Sequence, residues 1–309
     1  MTQAKKGLTL AVLVAFSLSG CANAGGKSDT QALTPSQEKA SLRKLGLDEA
    51  DINYVMAHAP QDAMAVATHK HNLLQDTHLT FDSSSKELKA SKIPNIQLDK
   101  WNKKYKQQVA KIWGRVAFVV NSPRFVKQFN QETADLDVRT FKGGIDEAVN
   151  VPSNYDDFAK VALNRQGLAH NTYKLEAFSN KIGADGKEMS SGGNAWGEMG
   201  HPEVFLNPGE ISSARLNKNA PLLLHELTHT FGYAHDNNPK ANNGKAIQVV
   251  YVPNNVPYYV QMITSSGGTN DKDFDSLQQL SKQIHSKNPM LLPVNSGLNT
   301  DLFTQYFGQ

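Results

Sequence analysis

Residues 225–236 read His225-Glu226-Leu227-Thr228-His229-Thr230-Phe231-Gly232-Tyr233-Ala234-His235-Asp236, directly after the apolar run Leu222-Leu223-Leu224. The run favours a helix with a buried face, and the polar residues that follow carry a metal-ligand spacing. Positions i and i+4 share one helical face, so His225 and His229 can hold a single ion together. Glu226, one residue beyond the first ligand, stands beside that ion and can act as a general base on water. Gly232 tolerates a positive φ and can stop the helix, letting the chain fold back and bring His235 to the same point. Three imidazole nitrogens leave one tetrahedral position open, which marks a catalytic rather than a structural zinc site.

This pattern, H-E-x-x-H-x-x-G-x-x-H-D, resembles the metzincin clan of zinc endopeptidases. Asp236 after the third histidine is most similar to the adamalysin-like branch. The resemblance implies an α+β, metzincin-like zincin fold: a mixed twisted sheet, an active-site helix and a C-terminal helix, with a cleft beneath an edge strand. It implies one Zn2+ on His225, His229 and His235, Glu226 as the catalytic base, and Asp236 holding the local turn. It also implies a methionine turn beneath the zinc. Met262, in Tyr258-Tyr259-Val260-Gln261-Met262-Ile263, follows His235 by 27 residues and is the candidate, with Met290 as the alternative. Trp196, in Ser191-Gly192-Gly193-Asn194-Ala195-Trp196-Gly197, is a candidate for the substrate cleft, and Tyr258 and Tyr259 for a side-chain pocket; ordinary core packing is the competing role for all three.

Outward from the motif, the pattern is α/β in texture. Helices are expected at 98–112, 124–133 and 154–164, and strands at 115–120, 137–141 and 173–179. A short edge strand is expected at 194–199, a central strand at 203–207, the motif helix from residue 214 or 220 to 231, and a last helix at 273–286. Before this catalytic domain (97–309), residues 35–96 read as a small helical segment, a spacer, an inhibitory prosegment or part of the enzyme, with helices at 48–58 and 61–75. His58, His69, His71 and His78 in that segment lack acidic or cysteine partners at ligand spacing and read as solvated.

The first twenty residues carry a separate signal. Lys5 and Lys6 precede an apolar stretch from Leu8 to Leu18, too short for a membrane span and suited to a secretory signal peptide. Leu18-Ser19-Gly20-Cys21 resembles the bacterial lipobox, which implies lipidation of Cys21, a flexible tether over 21–34, and a membrane anchor through the lipid. Ala22 after the cysteine implies the outer membrane of the cell envelope. Cys21 is the only cysteine, so the chain forms no internal disulfide. The composition, 39% hydrophobic and 20% charged, is that of a globular protein. Its formal charge of +3 drops to +1 once Lys5 and Lys6 leave with the signal, which argues against nucleic acid as a partner. The expected partner is a protein or peptide substrate. A non-catalytic zinc-binding surface lipoprotein and a zinc amidase acting on cell-wall peptides are the rival readings; a site kept only for structure has no use for Glu226.

Overall fold

A computed structural model describes residues 33–82, 95–132, 152–168, 171–189, 195–210, 216–233, 256–265 and 301–308. It opens with three short helices, α1 (Pro35–Arg43), α2 (Glu49–His58) and α3 (Pro60–Thr68). Local chemistry sets their starts. Thr34 and Gln37 form a capping box, the Asp48 carboxylate accepts the Asp51 N–H at 2.8 Å, and Pro60 brings a preset φ to the first turn of α3. Strands β1 (His78–Asp82) and β2 (Ile96–Leu98) follow, then helices α4 (Lys103–Val120), α5 (Pro123–Glu132) and α6 (Tyr155–Leu168). Strands β3 (Thr172–Asn180), β4 (Ala195–Gly197) and β5 (Glu203–Leu206) lead into α7 (Leu216–Thr230), which carries the first part of the motif. Helices α8 (Val256–Thr264) and α9 (Leu302–Phe307) complete the described elements.

The architecture is α+β. Strands β1, β3 and β5 are parallel, β4 pairs antiparallel with β5, and the order across the sheet is β1-β3-β5-β4. Strand β2 pairs antiparallel with the far end of β3, matching Leu98 to Phe178. The expected edge and central strands are thus found as β4 and β5. Alternation along the strands divides the sheet into two faces. Tyr173, Leu175, Val204 and Leu206 bury against the helices, in one core with Val109, Val116, Leu223 and Leu227. Phe178 and Phe205 form a smaller cluster on the other face with Ile96, and Trp196 packs against it.

Three expectations are corrected. The first concerns residues 115–120, which are helical: α4 runs unbroken from Lys103 to Val120. The Val116–Val120 stretch is buried throughout, and a helix enclosed on all sides has the same unbroken apolar pattern as an interior strand. Gly114 does not break it. A Cβ there would lie 2.3 Å from the Gly46 carbonyl oxygen, so the missing side chain is what lets the turn after α1 cross the helix. The second correction is to residues 35–96. They are not wholly helical, because β1 extends the main sheet, and Leu42, Ile52, Val55 and Val66 lie in the same core as α4 and α7. The third is Met262, which stands inside helix α8 rather than in a turn. The strand expected at 137–141, the helix at 273–286, Met290 and residues 1–32 with Cys21 lie outside the described residues. Among the described residues, no helix is long and apolar enough to cross a membrane.

Candidate metal centre

Helix α7 packs against α4 on one side and α8 on another, with β4 lying across it. Its start is tied down by Asn217, whose side chain accepts from Arg115 at 2.6 Å. Its end is set by backbone chemistry. Gly232 has φ 103°; its N–H donates to the His229 carbonyl at 2.9 Å, and the Tyr233 N–H donates to the Thr228 carbonyl at 3.1 Å. This pair of bonds is a Schellman stop, and only glycine adopts the required backbone without steric cost. Gly232 therefore ends the helix as the sequence pattern requires.

The fold-back has a consequence for the first turn it touches. It places the Tyr233 carbonyl 2.6 Å from His229 Nδ1. A carbonyl only accepts, so Nδ1 carries the proton and Nε2 keeps its lone pair, the tautomer a metal ligand needs. Burial further lowers the His229 pKa, opposed by the Tyr233 bond, so the ring is held neutral. His225 sits one turn earlier, its ring centroid 5.1 Å from that of His229. Candidate ligand atoms of His225, Glu226 and His229 all lie within 4.8 Å of one another, and all three residues are buried. Among the described residues this is the one such grouping of metal-binding side chains. Two imidazoles and a carboxylate make a nitrogen–oxygen donor set suited to first-row divalent ions, zinc included. The residues present fit a metal ion.

Glu226 has a partner that the sequence did not suggest. Its Oε2 accepts the Gly197 backbone N–H at 2.7 Å. Burial drives its carboxyl up to about 8, and the Gly197 bond pulls the other way. Gly197 ends the glycine-rich stretch noted above, yet nothing local indicates that it meets a residue 29 positions on.

The other expected site residues are dispersed. Trp196 stacks on Phe205 at 4.5 Å between ring centroids, on the sheet face away from α7, where it covers the small aromatic cluster. Tyr259 is buried and donates to the Phe129 carbonyl at 2.7 Å, tying α8 to α5 instead of lining a pocket. Tyr258 and Met262 have helical backbone in α8, and their side chains fall outside the description. His235 and Asp236 also lie outside the described residues. His58, His69, His71 and His78 are exposed, as expected of solvated rings.

Compared with known protein families, characterised proteins and solved structures, the chain has no match.

Proposed function

We propose that this chain is a zinc-dependent endopeptidase held at a bacterial membrane by lipid on Cys21. One observation carries the reading: His225 and His229 lie side by side in a buried helix end with Glu226 between them. The metzincin-like fold belongs to the same proposal, supported by a mixed sheet whose antiparallel end strand lies across the motif helix.

His225, His229 and, from the sequence pattern, His235 would hold the ion. When bound, zinc would supply Lewis-acid polarisation of a peptide carbonyl and a lowered pKa for water. The side chains do the rest. Glu226 takes the proton of the attacking water and returns it to the departing amine. A carboxyl whose environment lifts its affinity for protons toward neutrality suits both halves of that exchange. The Tyr233 carbonyl keeps His229 in its ligating tautomer. An extended peptide would lie beside β4, next to the point where the Gly197 N–H meets Glu226.

The test uses residues 22–309, made without lipid. Zinc content and chelator-sensitive casein hydrolysis are the expected findings. Glu226→Gln should keep its zinc and lose hydrolysis by several orders of magnitude, on the scale of removing a general base together with its charge. Retention of most of the activity in that variant, or a wild-type protein that binds zinc yet cuts neither casein nor a peptide library, would defeat the enzymatic reading.

A further inference from the structure

Strand pairing fixes the direction of the Gly197 backbone amide. The Glu198 N–H donates to Glu203 on β5 at 2.9 Å. Neighbouring residues on an antiparallel strand alternate in where their N–H groups point, so the Gly197 N–H faces away from β5, toward the outer edge of β4. There it meets the Glu226 carboxylate at 2.7 Å. The approach is close enough to exclude a side chain. A Cβ built on Gly197 would lie 2.0 Å from the Glu226 carbonyl oxygen and 3.0 Å from His229 Cβ. Gly200, in the turn that follows, donates to the His229 carbonyl at 2.9 Å, so the β4–β5 turn grips the motif helix at two successive points.

We infer that Gly197 is a positioning residue for Glu226. Its N–H fixes Oε2 and leaves Oε1 to exchange the proton, and its missing side chain lets β4 and α7 close to that bonding distance. A glutamate with free χ angles spreads its carboxylate over many orientations, and confinement to one costs side-chain entropy. The backbone bond meets that cost in the resting protein, before substrate arrives. For what the carboxylate then does, the inference rests on the hydrolytic reading above; for the existence of the bond it does not.

The test separates the two. Metal-free protein labelled with 15N-glycine is followed by amide hydrogen exchange, the Gly197 signal being identified by its loss in Gly197→Ala. The Gly197 amide should exchange about tenfold or more faster in Glu226→Ala than in wild type, the loss expected for one buried hydrogen bond. Adding zinc to the wild type should leave the slow exchange in place. Equal rates in wild type and Glu226→Ala, or loss of protection when zinc is added, would overturn the positioning role.

Kinetics provide the second arm. Gly197→Ala should lose about a hundredfold in kcat, the scale of a misplacement of about 1 Å, with KM and zinc content kept. Replacing residue 197 by glycolate, which turns the amide into an ester, deletes the N–H without adding an atom. It serves where the alanine variant fails to fold, and should lower kcat about tenfold at unchanged KM. An ester variant with wild-type kcat would overturn the inference. An inactive wild type whose Gly197 amide is still protected by Glu226 would sink the hydrolytic reading and leave the bond standing.

Discussion

Glu226 and His229 are driven by the same force in opposite chemical senses. Removal from water favours the neutral form of each, which raises the carboxyl to about 8 and lowers the imidazole. In the metal-free protein the two therefore shape stability with opposite slopes. The folded chain keeps a proton on Glu226 that the unfolded chain releases above about pH 4.5, so this group destabilises the fold increasingly from there to pH 8. The folded chain keeps His229 unprotonated, whereas the unfolded chain protonates it below about pH 6.5, so stability is lost as pH drops beneath that value. Between about 4.5 and 6.5 the slopes oppose each other, and above 6.5 only Glu226 acts. Urea denaturation in the presence of chelator, compared for wild type and Glu226→Gln, isolates the glutamate. The difference between the two should grow in the variant's favour from pH 5 to pH 8, reaching on the order of a few kcal/mol. A difference that stays constant with pH would mean that Glu226 is not buried as its carboxyl in the resting state.

At the scale of elements, the end of α7 links chain geometry to metal chemistry. Gly232→Ala forces a Cβ onto a backbone with φ 103°, at a cost of about 1–2 kcal/mol. If the Schellman stop gives way, the Tyr233 carbonyl leaves His229 Nδ1, and loss of such an outer bond weakens metal binding about 10–100-fold. Competition with a chromophoric chelator reads this directly; an alanine variant with wild-type zinc affinity would show that the stop and the ligand are uncoupled. A second joint lies at Arg115 on α4. It donates to both carboxylate oxygens of Asp51 on α2, at 2.8 and 2.9 Å, and to Asn217 on α7, while Phe307 of α9 covers its guanidinium. Asp51→Ala leaves that buried cation without its counter-ion and should cost about 3–5 kcal/mol in chemical denaturation. The paired change Asp51→Leu with Arg115→Met should recover much of the loss. Equal losses for the single and the paired variants would mean that packing, not the stranded charge, sets the cost. These elements also mark what a sequence reading can reach. The Gly232 stop was legible because its chemistry lies within a few residues of the motif. The second half of α4 has the sequence pattern of a strand because enclosure on all sides erases the periodicity that separates the two structures. The Gly197–Glu226 bond was invisible because it joins a strand edge to a distant helix through a backbone amide, which leaves no mark on residue type.

For the whole molecule, the question is whether the first three helices are removable. A prosegment that merely covers a finished enzyme packs against its surface and leaves the enzyme's own core intact when cleaved. Here Leu42, Leu45, Ile52, Val55 and Val66 are almost wholly excluded from water in the core built by α4, α7 and the sheet. Burial of each such side chain is worth about 1.5–3 kcal/mol, so five of them match the total stability of about 5–15 kcal/mol that a domain has to spare. Strand β1, the next element in the chain, pairs with β3 from His78 to Asp82 and so lies at the end of the sheet opposite β4, which stands three strands on beside Glu226. Deletion of residues 33–68 should therefore abolish the cooperative thermal transition and the near-ultraviolet circular dichroism, and should not release activity. A truncated chain that melts cooperatively and hydrolyses casein faster than the full one would establish the opposite, that these helices are a latch on a catalytic unit able to stand alone. On the geometry, α1–α3 are instead part of the core, joined to α4 by the Gly46–Gly114 crossing and the Asp51–Arg115 pair, and α4 in turn packs against the helix that carries His225, Glu226 and His229.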